Sequence, residues 1–454
     1  MGLLRTDRMD YNNRSIGRVK GMKEKAFLKK ILLREVVPAT GCTEVGAVAL
    51  AAGWAMRALD GPVETVEEIQ IEVDESTYKN ALGVGIPGTG ETGLGFAAAM
   101  GVLSSNRVEQ GLQILENPEK EKIEKAQHLI AKNRIKIVRV LDSKDILIRA
   151  RVRNPKDETM ALIQGSHDHL VGVEKNGKPY RGAPVSDEDF WKLNEEIKKI
   201  RYEKLIAFAQ TVDLDELPVL REAIEINMRF AREARKGLPS LQIGQVMEKY
   251  GETRQTGESL SCKAQFITAL AVEARMKGLD LPVMACAGSG NQGLVATIPV
   301  VEMAGRLNSP EQRLLRALAL SYLTTIYIKS FTGLLSPICG CGVAAAVGAG
   351  CGIVFLMGGE VSQIEAQINN MIGAMAGIIC DGAKSGCSLK ALMAVGLAID
   401  SSYLSIEGVR IPSQDGIMGK DVLETLGNLQ EILETGMATM DTAIVRIMES
   451  KGKA

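Results

Sequence analysis

From Lys25 the run AFLKKILLREVV repeats its apolar positions at helical spacing, and Pro38 should end or kink that helix. PATGCTEVGAVALAAGWAMRAL follows as a second, Ala-rich helix, with Thr40 or Thr43 as its candidate cap. Residues 65–75, TVEEIQIEVDE, alternate as a strand. KNALGVGIPGTGETGLGFAAAMGVL then sets seven glycines between Gly83 and Gly101 ahead of another Ala-rich helix. A charged helix is predicted over 118–133, and IKIVRVL, ILIRARVR, TMALIQGS and HLVGVEKNG read as short strands. Charge is dense and helical from about Ser186 to Tyr250, as on solvated helices, whereas Gly257 to Met448 is helical and apolar. The pattern predicts an α+β fold: a disordered or dispensable tail at 1–24, an α+β domain at 25–185, charged linking helices at 186–256 and a helical domain at 257–454.

Composition narrows the classes. The 454 residues carry 54 basic and 55 acidic side chains, so no electrostatic footprint for nucleic acid exists. Aromatics are 4%, against 47 glycines and 19 methionines, which suits closely packed helices of small residues rather than a stacking surface for bases. The first two dozen residues are basic and lack an apolar stretch, so neither a secretion signal nor an anchor is expected there, and the working chain could begin near Met22. Eight clustered cysteines point to a reducing, cytoplasmic setting rather than a disulfide framework. Ile338–Gly358 carries no charge over a length that could cross a bilayer. It has no aromatic belt or flanking basic cluster and six glycines interrupt it, so a central helix buried on all sides is the better reading and no membrane partner is expected.

Ser336 to Lys390 holds five of the eight cysteines, and only six of the 65 residues from Ser336 through Asp400 are charged. Thiols in so apolar a stretch are either small hydrophobes or ligands to a soft metal. Cys380 and Cys387 are seven apart, about 10.5 Å on an unbroken helix. Gly382 and Gly386 can turn the chain back so that both sulfurs reach one site. Cys339 and Cys341 lie about 200° apart on a helix, so at most one of them should join the others. Three cysteines fit an iron-sulfur cubane with one open iron better than a structural zinc, which wants a fourth ligand. Bare spacing leaves a set of inert core cysteines equally open.

Cys42 stands at a predicted helix start, where the dipole should lower its pKa, and Glu44 in the first turn reads as a dipole-compensating residue. The glycine-rich turn before the Ala-rich helix can bind a carboxylate through Lys79, Asn80 and the backbone of Gly88, Thr89 and Gly90, or its glycines can be purely structural. In CAGSGNQG, Ser289, Asn291 and Gln292 are short polar groups in an apolar setting, able to orient a small zwitterion or to begin a capped helix. His167 and His169 fall between two strands, and with three histidines in the chain an exposed hairpin turn is favoured over a metal site.

PATGCTE at 38–44, KNALGVGIPGTG at 79–90, GSGNQGLVATIPV at 288–300, the Cys339 region and CDGAKSGC at 380–387 occur in this order. Together they resemble the L-cysteine desulfidase family, relatives of the catalytic α chain of iron-sulfur L-serine dehydratases, from about residue 25 onward. The resemblance implies a [4Fe-4S] cluster on Cys339, Cys380 and Cys387, Cys42 as the base, and His167 alone of the two histidines as an active-site group. It leaves Cys262, Cys286, Cys341 and Cys351 without a role. The expected activity is α,β-elimination of L-cysteine or L-serine to pyruvate and ammonia by a homo-oligomer. A non-catalytic iron-sulfur or metal-binding protein and a membrane protein are the competing classes.

Overall fold

The structure, a computed structural model, describes residues 23–451 apart from 142, 144, 181, 185–189, 237–241, 244, 245 and 247–259. The expected boundaries at 185/186 and 256/257, and residues 1–22 of the expected tail, lie outside the described residues.

The chain is mixed α+β and buries two separate cores. Helix α1 (23–35) ends where β1 (Val36–Thr40) begins, and Pro38 falls inside that strand. Then come α2 (Thr43–Leu59), β2 (Glu68–Asp74), α3 (Glu75–Ala81), α4 (Gly93–Leu103), a 3₁₀ stretch at Ser105–Gln113 and α5 (Lys120–Ala131). The strands β3 (Ile135–Val140), β4 (Leu147–Arg153), β5 (Glu158–Gln164), β6 (Leu170–Lys175) and β7 (Lys178–Pro179) complete a sheet of order β3-β2-β4-β5-β6-β7. Only β2 and β3 are parallel. Alternate residues of the sheet, among them Ile69, Ile71, Val73, Ile148, Ala150, Val152, Ala161 and Ile163, are fully buried, and they share their core with α2.

Because α2 lies between this sheet and α4, nearly its whole circumference is buried. That is what its Ala-rich sequence is for: a Cβ on Gly101 of α4 would stand 2.1 Å from Ala49 O. Gly101→Ala would force the two helices apart, and each of Leu50, Trp54 and Met56 then forfeits part of the ~1.5–3 kcal/mol its burial contributes.

The helices α6 (Phe190–Lys198), α7 (Tyr202–Thr211) and α8 (Val219–Ala234) were expected as a solvated linker, but their apolar faces belong to the second core, the helical one. Tyr202, Leu205, Phe208, Leu220 and Phe230 are buried there, and so are Leu28, Ile31 and Leu32 of α1. Then follow α9 (Leu260–Met276), β8 (Pro282–Cys286), α10 (Gly290–Arg306), α11 (Glu311–Thr332), a π-turn at Cys341–Ala345, α12 (Ala346–Leu356), α13 (Val361–Met375), α14 (Cys387–Ile406), α15 (Val422–Glu431) and α16 (Met440–Ser450). Helix α12 is the buried central helix the composition predicts; a Cβ on its Gly348 would lie 2.3 Å from Ser321 O of α11. Among the described residues the helix long and apolar enough to cross a membrane is α14, with 56% of its most apolar window buried.

Two features fasten the cores together. Strands β1 and β8 pair antiparallel from Val36↔Cys286 to Thr40↔Pro282. Val36 and Met284 enter the helical core while Ala39 and Ala285 enter the α+β core, so this ribbon is the seam. A strand carrying Pro38 and an apolar pentapeptide, PVMAC, gave no sequence signal of pairing with each other. The second fastening is α16, which returns to the α+β portion: Thr442 Oγ1 donates to Glu75 at 2.6 Å and Asp441 accepts from Ser76 and Lys79.

Candidate active site

Cys339 precedes the helix that Cys341 belongs to, so the 200° separation expected of a helical pair does not apply. Its carbonyl accepts from Gly342 N at 3.1 Å and Val343 N at 2.8 Å, which makes it a turn-starting residue. The two thiols act on each other: Cys341 lowers the Cys339 pKa, and Cys339 raises that of Cys341.

An isolated antiparallel bridge, Ile338↔Ile379, sets the next thiol beside them: Cys339 N donates to Ile378 O at 2.8 Å and Cys380 N to Pro337 O at 2.7 Å. Cys387 opens α14, and the loop before it folds back as the glycines suggest. Gly382 has φ +90°, and its missing Cβ would stand 2.5 Å from Lys79 O, so only glycine lets the loop lie on the end of α3. Lys384 N donates to Cys387 Sγ at 3.5 Å, and Lys384 Nζ donates to the carbonyls of Lys79, Asn80 and Leu82. Burial raises the Cys380 pKa and pushes that of Cys387 up to about 12. Cations surround the group. Lys329 of α11 is 3% exposed with no carboxylate within ion-pair distance among the described residues; burial brings its pKa down to about 8, against the pull of Cys380, Cys341 and Cys339. Lys79 and Lys390 also act electrostatically on Cys380.

Cys42 lies across the seam as the first residue before α2. It is the helix N-cap itself, and no side-chain cap bond from Thr40 or Thr43 is made to α2. Its Sγ lies 2.7 Å from Glu44 Oε2, which also receives Thr43 Oγ1 at 3.2 Å, while Asn80 Nδ2 donates to Glu44 Oε1 at 2.7 Å. The expected low pKa is overturned: burial, then the Glu44 charge, raise it well above the usual thiol value, outweighing the helix dipole and Arg275. Glu44 is held below its usual range despite burial, through His167 and the bonds from Cys42 and Asn80.

Around this pair, several buried polar atoms have no partner: Asn80 Oδ1, both ring nitrogens of His167, Arg275 Nε and Gln292 Oε1. His167 is 2% exposed, not the exposed hairpin residue expected, and its Nδ1 is 3.2 Å from where a Cβ of Gly288 would be. Arg275 Nη1 donates to Asn291 Oδ1 at 3.0 Å and its Nη2 to Gly41 O, tying α10 to the residue before Cys42. A Cβ on Gly340 would lie 2.8 Å from Gln292 Nε2, which joins α10 to the Cys339 turn. Arg275 thus ties α10 to the Cys42 end, Gln292 ties α10 to the Cys339 turn, and Lys384, on the carbonyls of Lys79, Asn80 and Leu82, ties the Cys387 loop to α3, whose Asn80 holds Glu44.

A family model described as serine dehydratase alpha chain matches residues 109–446. The chain belongs to the serine dehydratase alpha chain family. Among its relatives, a UPF0597 protein of Clostridium tetani is 37% identical over 432 residues, covering 94% of this chain and 99% of the relative. Another of Caldanaerobacter subterraneus is 37% identical over 431 residues, 94% and 99% of the two chains. A third, of Desulfatibacillum aliphaticivorans, is 34% identical over 432 residues, 93% and 98%.

Within this family member the expected site residues divide. Cys42, Asn80, His167, Asn291, Gln292, Cys339, Cys380 and Cys387 are linked as described. Lys79 is not available for a carboxylate: it is 1% exposed and Asp441 Oδ1 takes its ammonium at 2.7 Å. Gly88 N is taken by Gly278 O and Thr89 Oγ1 by Ile86 O, and Gly88 and Gly90 are exposed. Ser289 caps α10 by position but makes no side-chain cap bond. A surface cavity of about 300 Å³ lined by Val212, Asp213, Arg221, Glu311 and Arg316 shares no residue with the site. Sequence reading missed Arg275, Lys329 and Lys384; Lys329 is the lone charge in TTIYIKSF, and that isolation was the available signal, whereas Arg275 stands between Glu273 and Lys277 and gave none.

Among the described residues no three His, Cys, Asp or Glu side chains stand close enough to share a single metal ion. Ligands of one tetrahedral ion crowd within bonding distance of it, whereas cubane thiolates each hold a different iron and stand further apart. The buried Cys339 and the half-buried Cys380 and Cys387 in a lysine-lined setting fit such an anionic centre, since binding a cationic metal reverses the protonation that desolvation imposes.

Proposed function

We propose that this serine dehydratase-like lyase carries out α,β-elimination on L-cysteine or L-serine, giving pyruvate, ammonia and sulfide or water. The observation that supports it is that a thiol–carboxylate pair, Cys42 with Glu44, and the loop carrying Cys387 are both fastened to α3, through Asn80 and through Lys384, beside buried polar atoms that lack partners. Cys339, Cys380 and Cys387 would hold a [4Fe-4S] cluster, which when bound supplies an open iron as Lewis acid for the substrate's β-thiol or hydroxyl. His167, Gln292 and the free Oδ1 of Asn80 orient the substrate's amino and carboxylate groups, filling bonds they lack. Burial of Cys42, His167 and Gln292 keeps bulk water from the α-carbon. Cys42 Sγ is the atom placed to handle the α-proton.

The test is pyruvate formation from each amino acid by anaerobically purified protein supplied with iron and sulfide. Pyruvate from either supports the lyase, and the ratio of the two kcat/KM values assigns the substrate. Protein that binds iron and turns over neither amino acid is a carrier rather than an enzyme.

A further inference from the structure

Glu44 looks in sequence like an acidic residue placed to complement a helix start, but the fold uses it otherwise. It is 6% exposed, and both of its oxygens are engaged by neutral donors: Oε2 by Cys42 Sγ at 2.7 Å and Thr43 Oγ1 at 3.2 Å, Oε1 by Asn80 Nδ2 at 2.7 Å. No Lys or Arg among the described residues pairs with it directly. His167 and Lys384 face it at longer range, and Arg275 and Lys384 face Cys42. A buried carboxylate held by three donors, one of them a thiol at so short a distance, is a fixed acceptor for that thiol's proton.

The arrangement solves a difficulty in the lyase reading. A base must be able to receive a proton, and a thiol kept protonated by burial and a neighbouring charge cannot do so unless its own proton leaves. Resting on that reading, we propose that Cys42 and Glu44 form a two-proton relay in which Glu44 Oε2 takes the thiol proton as Cys42 Sγ receives the substrate's α-proton. The Cα–H bond and the original S–H bond break; a new S–H bond and a Glu44 O–H bond form. The Cα–H electron pair becomes the Cα=Cβ bond, and the Cβ–S or Cβ–O pair departs with the leaving group. The Glu44 proton returns through Cys42 to that leaving group, so one molecule of hydrogen sulfide or water is released and the pair is restored. Glu44 acts through Cys42 and is a positioning residue with a proton to accept; it does not touch substrate.

The relay sets a pH signature. With Glu44 held below its usual range and Cys42 well above its own, S–H and carboxylate coexist across the neutral range. The parent's kcat should therefore be flat between pH 6 and 8. In Glu44→Gln the acceptor is gone and only free thiolate can act, so kcat should fall about 10²-fold at pH 7 and rise about tenfold per pH unit. Labelling of Cys42 by iodoacetamide, read by peptide mass, should be faster in Glu44→Gln than in the parent at pH 7, because the charge that keeps the thiol protonated has been removed. Glu44→Asp, which keeps the charge but draws the oxygen back by one methylene, should lose more than tenfold in kcat while retaining its melting temperature; it decides the matter if Glu44→Gln does not fold. A Glu44→Gln profile as high and flat as the parent's overturns the relay, and so does a depressed but still flat profile, which marks a structural role only. Glu44→Asp at parental rate does the same. A parent that yields no pyruvate from either amino acid overturns the lyase reading itself.

Discussion

The Cys42 thiol points at a carboxylate, while Cys339, Cys380 and Cys387 look onto Lys79, Lys329, Lys384 and Lys390. Cys42 and Cys339 are buried and Cys380 and Cys387 half-buried, so exposure and neighbouring charge together set the two groups apart. A buried thiol next to Glu44 is kept as S–H and is suited to passing protons; thiols among lysines are suited to becoming thiolates once a metal arrives. The separation also follows the fold, because the first lies at the start of a helix in the α+β core, whereas Cys339 and Cys380 lie in turns and Cys387 at a helix start on the helical side. In the proposed reaction one small molecule meets both at the seam.

The strongest way to break this comparison is to remove a thiol from the lysine-lined group. Cys380→Ala or Cys387→Ala should bleach anaerobically purified protein and abolish pyruvate formation, since losing one of three ligands releases the centre; iron and labile sulfide at the parent's level would refute the assignment. Next in size is Asp441→Asn, which leaves Lys79 buried without its partner. It should lower stability by about 3 kcal/mol, the low end for breaking a buried pair because Asp441 is itself 13% exposed, seen as a lower urea midpoint with unchanged m. The smallest effect is expected for Cys341→Ser. The hydroxyl still acts on Cys339, so iron content should stay at the parent's level, and loss of iron would make Cys341 rather than Cys339 the ligand.

Much of this was legible in the chain. Alternation in TVEEIQIEVDE and the four later strands foretold the sheet, and the uncharged Ala/Gly stretch foretold the central helix, because period and burial are local properties. The turn at Gly382 was legible for the same reason. Pairing of β1 with β8 was not, since VVPAT and PVMAC are distant pentapeptides whose only joint signal is spatial. Lys79 was misread because its partner, Asp441, lies 362 residues away. The Cys42 pKa was misjudged because the dipole at a helix start is a small effect that desolvation and a carboxylate 2.7 Å away overwhelm. Cys339 and Cys341 were set apart by helical geometry that begins one residue too late to apply.

The division of labour between the two cysteine settings is tested most directly by Cys42→Ala, assayed for iron, labile sulfide and pyruvate in one anaerobic preparation. The account predicts iron and sulfide equal to the parent's, a visible spectrum that still changes on adding L-cysteine or L-serine, and turnover reduced by about 10²- to 10⁴-fold, the usual contribution of a positioned acid-base group. A colourless Cys42→Ala protein would place Cys42 among the metal ligands, and undiminished pyruvate would remove it from the chemistry; either result contradicts the account.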